Sequence, residues 1–492
     1  MAQNENEGKK QDEVPKAPNS NPSRGEHRQG GTTAIGRINE LLPNELLGKI
    51  FSTAIISLLP KEHKSFLALV CSVCSRWRNV AIEAAELWTT IYIHNQRHIP
   101  AAELFLKRSK TRLLDVDVEV TFGRSRSRSR SPRAFTRQSS LRVAELTSVH
   151  LERTNTLSLS VNNTPGAEKF SALYRSMPAP HLVSLSVNVK GWSQSALPLL
   201  DSICSFHFNG NDGSPPTTAS SSSLTRLELK SIFPEHEDLR NIFTYFPSLE
   251  TLILPEFGPG WGKPNRVNRP IISAPSSLRS LAVHLGYTHE KSSYAGSSPE
   301  CSCVFGSLRF PSLEYLEVLG EDPSCDLNLS SHFKDLPKLK TLRLQRCSVP
   351  PLDDEFFRSL KLLNHLELAD NLNAVQWSSN LSCTKMALPF PCLSSISLSD
   401  QSSKSRDMSP WARLAQLAVQ INGCTQFSVK VTAQHHRSMT RALGPQDERI
   451  RVQVEDHSPG LLLLPPGDWV DWLDDDDDES DDDYRDYASD FE

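Results

Sequence analysis

Leu339-Lys340-Thr341-Leu342-Arg343-Leu344-Gln345-Arg346-Cys347-Ser348-Val349 sets the reading of most of this chain. Leu342 and Leu344 alternate with polar residues, as side chains do on a half-buried strand. Leu339, three residues ahead, completes a Leu-x-x-Leu-x-Leu spacing that recurs upstream and downstream. Upstream copies are Leu182, Leu185, Val187; Leu224, Leu227, Leu229; Leu249, Leu252, Leu254; Leu278, Leu281, Val283; and Leu313, Leu316, Val318. Downstream copies are Leu363, Leu366, Leu368 and Leu393, Ile396, Leu398. Most successive copies lie roughly 24 to 35 residues apart, which is the scale of a repeat array.

Two copies carry more than the leucines. Cys347 and Val349 extend the first, and Asn371 extends Leu363, Leu366, Leu368. With those positions the pattern resembles leucine-rich repeats, in which an Asn or Cys at this place hydrogen-bonds the backbone where the coil turns. The other copies lack that residue, so the resemblance is to an irregular leucine-rich-repeat-like solenoid. Apolar helical segments at Leu197–Phe206 and Leu239–Phe246 predict one strand plus one helix per repeat. Neither element buries its apolar face alone, and stacked neighbours complete the core. Gly- and Pro-rich stretches at 209–216, 258–275 and 287–302 are predicted loops. Earlier strands are expected at 113–118 and 156–161, with helices at 101–108 and 140–151. Closing strands are expected at 426–431 and 450–454.

A different pattern precedes the repeats. Leu46, Leu47, Ile50, Phe51, Ala54, Ile55 and Leu58 recur at three- and four-residue steps after Pro43, which suits a first helical turn. Leu59-Pro60-Lys61 breaks that helix. Phe66, Leu69, Val70, Val73, Trp77, Val80 and Ala81 form a second periodic run, dividing near Ser75. So short a unit cannot enclose all these side chains. Part of its apolar face is therefore an interface with another molecule, or is covered by the following domain, and periodicity leaves both open.

Leu42-Pro43, Glu45-Leu46, Ile50-Phe51, Val73-Cys74, Trp77-Arg78 and Leu87-Trp88, in that order, resemble the F-box. The longer connection from Ile56 to Ser65 is similar to that of many fungal F-boxes. The resemblance implies a three-helix module that docks on the Skp-type adaptor of a cullin–RING ubiquitin ligase. Its implied adaptor contacts, or the core supporting them, are Leu42, Pro43, Leu46, Ile50, Phe51, Val73, Cys74 and Trp77. The expected fold class is thus mixed α+β and α/β. A disordered segment (1–36) precedes an F-box (37–94), a solenoid (95–455) with an Arg-Ser insert at 123–137, and an acidic disordered tail (456–492).

Charge in the chain is segregated. The formal net charge is only -5, yet arginines crowd Arg124–Arg137 and aspartates crowd the region from Asp468 to Asp490. The N-terminus leads into no apolar run of the kind a secretion signal needs. The Leu461–Leu464 run stops at Pro465-Pro466, far short of a membrane span. Ten cysteines without framework spacing fit a reducing cytoplasmic or nuclear compartment. Cys71-x-x-Cys74 has metal-like spacing but no second pair, and reads as F-box core. Cys301 and Cys303 lie in a predicted loop, and His435-His436 reads as a solvated pair. No phosphate loop, nucleophile elbow or kinase signature is present, so a non-enzymatic receptor without cofactor is expected.

The resulting expectation is a substrate-recognition subunit, with the F-box on the adaptor, the cullin reached through it, and the repeats on a target protein. The alternative is a scaffold outside the ligase, associated with RNA through the Arg-Ser insert. The insert's shortness and the missing RNA-recognition signature disfavour nucleic acid as a partner.

Overall fold

A computed structural model describes residues 41–58, 62–121, 135–162, 170, 172–174, 177–189, 223–230, 232, 234, 236–254, 270–285, 304–320, 329–333, 335–347, 355–369, 390–399, 408–422, 426–444 and 448–455. The 1–36 segment, the Arg-Ser run through Arg133, the 197–206 helix, the loops at 209–216 and 287–302, Cys301, Cys303, Asn371 and the 456–492 tail lie outside these residues.

Three helices come first: α1 (Asn44–Ile56), α2 (His63–Val73) and α3 (Ser75–Glu83). Pro43 sits one position earlier than expected, as the N-cap of α1, and its carbonyl accepts from the Leu46 and Leu47 N–H groups at 3.1 Å. Glu45 places a carboxylate at the positive end of the helix dipole. The predicted division near Ser75 falls at Cys74, whose extended backbone separates α2 from α3 and whose Sγ caps α3 by accepting from the Trp77 N–H at 3.5 Å. Leu47, Phe51 and Ile55 from α1 meet Leu67, Val70 and Cys71 from α2, Val80 and Ala81 from α3, and Leu87 and Trp88 from a 3-10 turn. These side chains form a core of their own, because 47, 51, 55 and 67, 70, 71 each mark one helical face.

The rest is one parallel sheet of 13 strands, compatible with an α/β solenoid. Its strands are β1 (Thr90–Ile93), β2 (Leu114–Val120), β3 (Thr154–Val161), β4 (Ser184–Val189), β5 (Arg226–Lys230), β6 (Thr251–Leu254), β8 (Ser280–Leu285), β10 (Tyr315–Gly320), β11 (Thr341–Gln345), β12 (His365–Ala369), β13 (Ser395–Ser399), β14 (Phe427–Val431) and β15 (Ile450–Val454). They pair in chain order, and the short β7 (Ile272–Ser273) and β9 (Leu308–Arg309) form a separate pair. The predicted loop at 258–275 therefore ends inside the fold, with Ile272 and Ala274 buried.

The repeated leucines fix the register. Leu185, Leu227, Leu252, Leu281, Leu316, Leu342, Leu366 and Ile396 stand opposite one another on successive strands. All are buried in one continuous core. A one-residue slip on any strand would turn its leucines to the other face, so the apolar pattern itself enforces the alignment. The leading leucine of seven of the eight copies has a common geometry. The N–H groups of Leu182, Leu249, Leu278, Leu313, Leu339, Leu363 and Leu393 each donate to the carbonyl three residues earlier, closing a turn before the strand.

The connecting side is uneven. Helices α4 (Ile99–Arg108), α5 (Arg137–Ser148), α6 (His236–Tyr245), α9 (Ser409–Asn422) and α10 (Ala433–Leu443) are full elements, whereas α7 (Leu329–His332) and α8 (Glu355–Ser359) are single turns. Between β6 and β10 the described parts of the connections hold β7, β9 and a 3-10 turn, so among the described residues full helices accompany only some of the strands. The last residues assigned to the Arg-Ser insert also belong to the fold. Phe135 is buried and its N–H donates to the Thr121 carbonyl at 2.9 Å, while Thr136 and Ser139 form the capping box of α5. No helix among the described residues is long and apolar enough to cross a membrane.

Gly320 closes β10 against the turn that follows β11. A Cβ there would overlap the Arg346 carbonyl oxygen and come within 2.9 Å of Cys347 Cβ. Arg346 holds a left-handed φ of 49°, which turns Cys347 inward to full burial. Gly320→Ala is expected to destabilise the sheet by about 1–3 kcal/mol, the range for overpacking against atoms that cannot yield. Urea denaturation followed by far-UV circular dichroism would measure it, and an unchanged midpoint would show that the turn relaxes freely.

Candidate docking surface

The eight residues singled out on α1, α2 and α3 separate into two roles. Phe51 is core, at 3% exposure. Trp77 is half-buried and lies against it, with ring centroids 5.0 Å apart at 55°. The other six have exposed or partly exposed side chains: Leu42 is half-buried, and Pro43, Leu46, Ile50, Val73 and Cys74 are exposed. Leu46 and Ile50 stand one turn apart on α1, and each leaves about half its surface in solvent (50% and 51%). Val73 on α2 is similarly exposed.

The sequence pattern put Leu46 and Leu47 on the same helical face without distinguishing them. Packing does distinguish them, because Leu47, Phe51 and Ile55 complete the module's core and leave Leu46 and Ile50 outside it. The structure adds three exposed apolar residues that were not singled out as contacts, one of them Ile56 at the end of α1. Leu69 lies one turn before Val73 on α2, and Leu41 precedes α1. Leu69 belonged to the recognised period, and its exposure was the missing information.

Polar contacts hold this surface in place. The Arg76 guanidinium on α3 donates to the Leu42 carbonyl and, through Nε, to Asn44 Oδ1 at 3.0 Å. Arg78 Nε donates to the Cys71 carbonyl at 3.0 Å, a group near the end of α2 that the helix leaves available. These arginines therefore tie both ends of the apolar patch to α3. Of the Cys71-x-x-Cys74 pair read as core, Cys71 is buried and Cys74 is exposed; burial pushes the Cys71 thiol up against the opposing pull of Arg108 and Arg78. Among the described residues no group of three or more His, Cys, Asp or Glu is placed to hold a metal ion.

The helical unit is locked to the sheet. The Trp88 indole N–H donates to the Ala81 carbonyl at 2.7 Å, Phe105 of α4 meets the Trp88 ring edge-on at 4.9 Å, and the Arg108 guanidinium lies 4.5 Å from the ring centroid. Phe105 packs on both the helical core and the solenoid core. The chain then passes from Trp88 directly into β1, the first strand of the long sheet. A partner held on α1 and α2 is thus presented at a fixed orientation to the array.

A second face of that sheet carries polar chemistry. His94, just beyond β1, sets its two ring nitrogens against Asp117 (3.1 Å) and Glu119 (3.2 Å) and stacks on Tyr92. Burial opposes charge on the ring, but the hydrogen bonds to Asp117 and Glu119, with their charges, prevail and push its pKa up to about 9. Further along, Glu317 on β10, Arg343 on β11 and Glu367 on β12 stand in register and are buried. Arg343 Nε lies 3.4 Å from Glu317 and Nη1 lies 3.2 Å from Glu367, while the Tyr315 hydroxyl donates to Glu317 at 2.8 Å. Burial above all raises Glu367, and Glu317 and Glu455 add to it against the pull of Arg343, leaving it at about 7. His435 also departs from its solvated reading: it is buried and hydrogen-bonded through Nδ1 to Thr432 Oγ1 at 2.9 Å.

The geometry defines a small three-helix unit with exposed apolar side chains, joined to one end of a parallel array. The family model of F-box-like domains matches residues 40–94. This chain therefore carries an F-box-like domain, and F-box domains bind Skp1-type adaptors. None of the curated proteins compared with the chain matches it.

Proposed function

We propose that this protein is the substrate-recognition subunit of an SCF-type cullin–RING ubiquitin ligase, with the F-box-like domain on a Skp-type adaptor and the leucine-rich-repeat-like array on a target protein. The observation that carries this reading is the set of exposed apolar side chains, Leu46, Ile50, Leu69 and Val73, on a domain whose core is already complete without them. Scattered exposed leucines are ordinary on a protein surface, but paired residues one turn apart on two neighbouring helices of an F-box-like domain fit a partner face.

In this reading no residue of the chain performs chemistry. The target is tethered, and ubiquitin transfer gains from the high local concentration of the conjugating enzyme charged on the cullin arm. The rigid Trp88–Phe105 junction favours this mode, because a fixed angle between adaptor and array keeps the target within reach. A cytoplasmic or nuclear location follows from the partners.

Pull-down of a purified Skp-type adaptor by the full chain tests the proposal. The intact chain should retain the adaptor, and Pro43→Ala combined with Trp77→Ala should reduce retention by more than tenfold. Failure of the intact chain to bind, or full binding by the double variant, would overturn it.

A further inference from the structure

We propose that β15 pairs antiparallel with β15 of a second copy of this chain, about a two-fold axis at Val452, so that two sheets join edge to edge. The first observation is an open edge. β15 is the last strand of the long sheet and is hydrogen-bonded to β14 on one side. The Arg449 carbonyl accepts from the Phe427 N–H at 2.7 Å, and the Glu455 N–H donates to the Val431 carbonyl at 3.0 Å. Peptide groups alternate in direction along a strand, so the odd-numbered residues face β14 and the N–H and C=O groups of Ile450, Val452 and Val454 face outward. Among the described residues no backbone group pairs with them. Such an edge is a template for one more strand.

The second observation is where the core comes to the surface. Ile450, Val452 and Val454 stand in register with Phe427, Val429 and Val431 of β14, on the core face. The three β14 residues are fully buried, whereas one strand further Val452 is half-buried and Val454 leaves 50% of its surface in solvent. Ala442 and Leu443 of α10, which packs on β14 and β15, are also only partly buried against that core. At the opposite end of the sheet Ile91 and Ile93 of β1 are fully buried. The apolar core is therefore closed at β1 and left showing at β15, the end that a capping element ordinarily covers.

A second copy is the occupant because the strand is complementary to itself. In the antiparallel register that overlaps the whole of β15, Val452 meets Val452 of the copy and Ile450 meets its Val454. All of these residues have outward peptide groups, as hydrogen-bonded antiparallel pairs require. Their side chains lie on the core face, so the pairing covers Val454 and joins the two cores. On the other face Arg451 comes opposite Gln453 of the copy, and the exposed Arg449 comes opposite its Glu455, which Lys430 Nζ holds on that face at 3.0 Å. Each contact occurs twice about the axis, as in any isologous two-fold interface. Charges on an edge ordinarily discourage pairing, and here they select a register. Moving the axis to Arg451 would set that residue against its own copy, like charge on like. The joined molecule carries an F-box-like domain at each far end, and the pairing stands whether or not those domains serve a ligase.

Sedimentation velocity of the full-length protein over a concentration series tests this. A two-chain species in equilibrium with the single chain is expected. Val452→Pro removes an outward N–H and no bond to β14, since proline is accommodated on an edge strand whose N–H faces solvent. It should weaken the dimer at least tenfold and leave the circular dichroism spectrum unchanged. Val454→Asp places a carboxylate between the strands at a position half exposed in the single chain, and serves if the proline variant is not folded. Val452→Cys under mild oxidation should join two copies through residue 452, because paired residues across an antiparallel edge lie within disulfide reach. Peptide mass spectrometry separates that link from links through the exposed native Cys74 and Cys392. The proposal is overturned if the full chain sediments as a single chain throughout. It is equally overturned if a folded edge variant dimerises like the parent, or if residue 452 is absent from the links between copies.

Discussion

Ile50→Asp is expected to weaken binding of a Skp-type adaptor by at least about 100-fold while leaving the melting temperature of the protein almost unchanged. Ile50 leaves half its surface in solvent, so a carboxylate there stays hydrated in the free chain and adds little strain to α1. In the complex the same carboxylate would be stripped of water against an apolar partner. An unpaired buried charge costs several kcal/mol, and each 1.4 kcal/mol is tenfold in affinity. Phe51→Ala, one residue on, should behave oppositely. It empties the centre of the helical core, removes the ring that supports Trp77, and costs about 3–5 kcal/mol of stability. Isothermal titration calorimetry with purified adaptor, beside thermal melts, separates the two. Undiminished affinity for Ile50→Asp would place the adaptor elsewhere, and a collapsed melt would mean that Ile50 belongs to the core after all.

That contrast between adjacent residues shows what the sequence conveyed and what it withheld. Helical period placed Leu46, Leu47, Ile50 and Phe51 on one broad stripe, and Leu-x-x-Leu-x-Leu located every strand of the long sheet from β4 to β13, though not the separate pair β7 and β9. The strand signal records burial in the chain's own core, whereas the helical stripe mixes the core residues Leu47 and Phe51 with the exposed Leu46 and Ile50. Division of the helical stripe into an inner and an outer half depends on how α2 and α3 seat against α1, and no local pattern contains that. Some elements were missed for lack of signal. β1 has only four residues, and half of the buried face of α9 is carried by Ala412, Ala415 and Ala418, beside Trp411, Leu414 and Val419. Alanine contributes little to an apolar period although it packs as closely as leucine. The Glu317–Arg343–Glu367 cluster was hidden for a different reason. Charged residues alternating with leucines read as a solvent-facing edge, and only the register of β10, β11 and β12 brings these three together, where all three are buried.

Arg343→Leu is accordingly expected to be among the most destabilising single changes in the array, at about 3–5 kcal/mol, the cost of removing one partner from a buried ion cluster. Arg343 lies between two carboxylates, 3.4 Å from Glu317 and 3.2 Å from Glu367. Without it, both must be buried without that cation. Adding Glu367→Gln to Arg343→Leu should recover a substantial part of the loss, since one of the two stranded charges is then absent. Glu367→Gln alone has a signature in pH. Glu367 is raised from 4.5 to about 7 in the folded protein, chiefly by burial. The fold therefore favours its protonated form. That contribution to stability is complete below about pH 4.5, falls as pH rises, and is lost once pH passes 7. Glu367→Gln should flatten the part of the stability profile lying between pH 4.5 and 7 and raise the urea midpoint near pH 8. Arg343→Leu should steepen the same segment and carry it above pH 7, because the remaining carboxylates then titrate without their cation. Urea midpoints taken at half-unit steps from pH 4.5 to 8.5 resolve these shapes. A profile for Glu367→Gln that is parallel to the parent would show that Glu367 is ionised without penalty, and that Arg343 and its surroundings compensate the burial of both carboxylates in full.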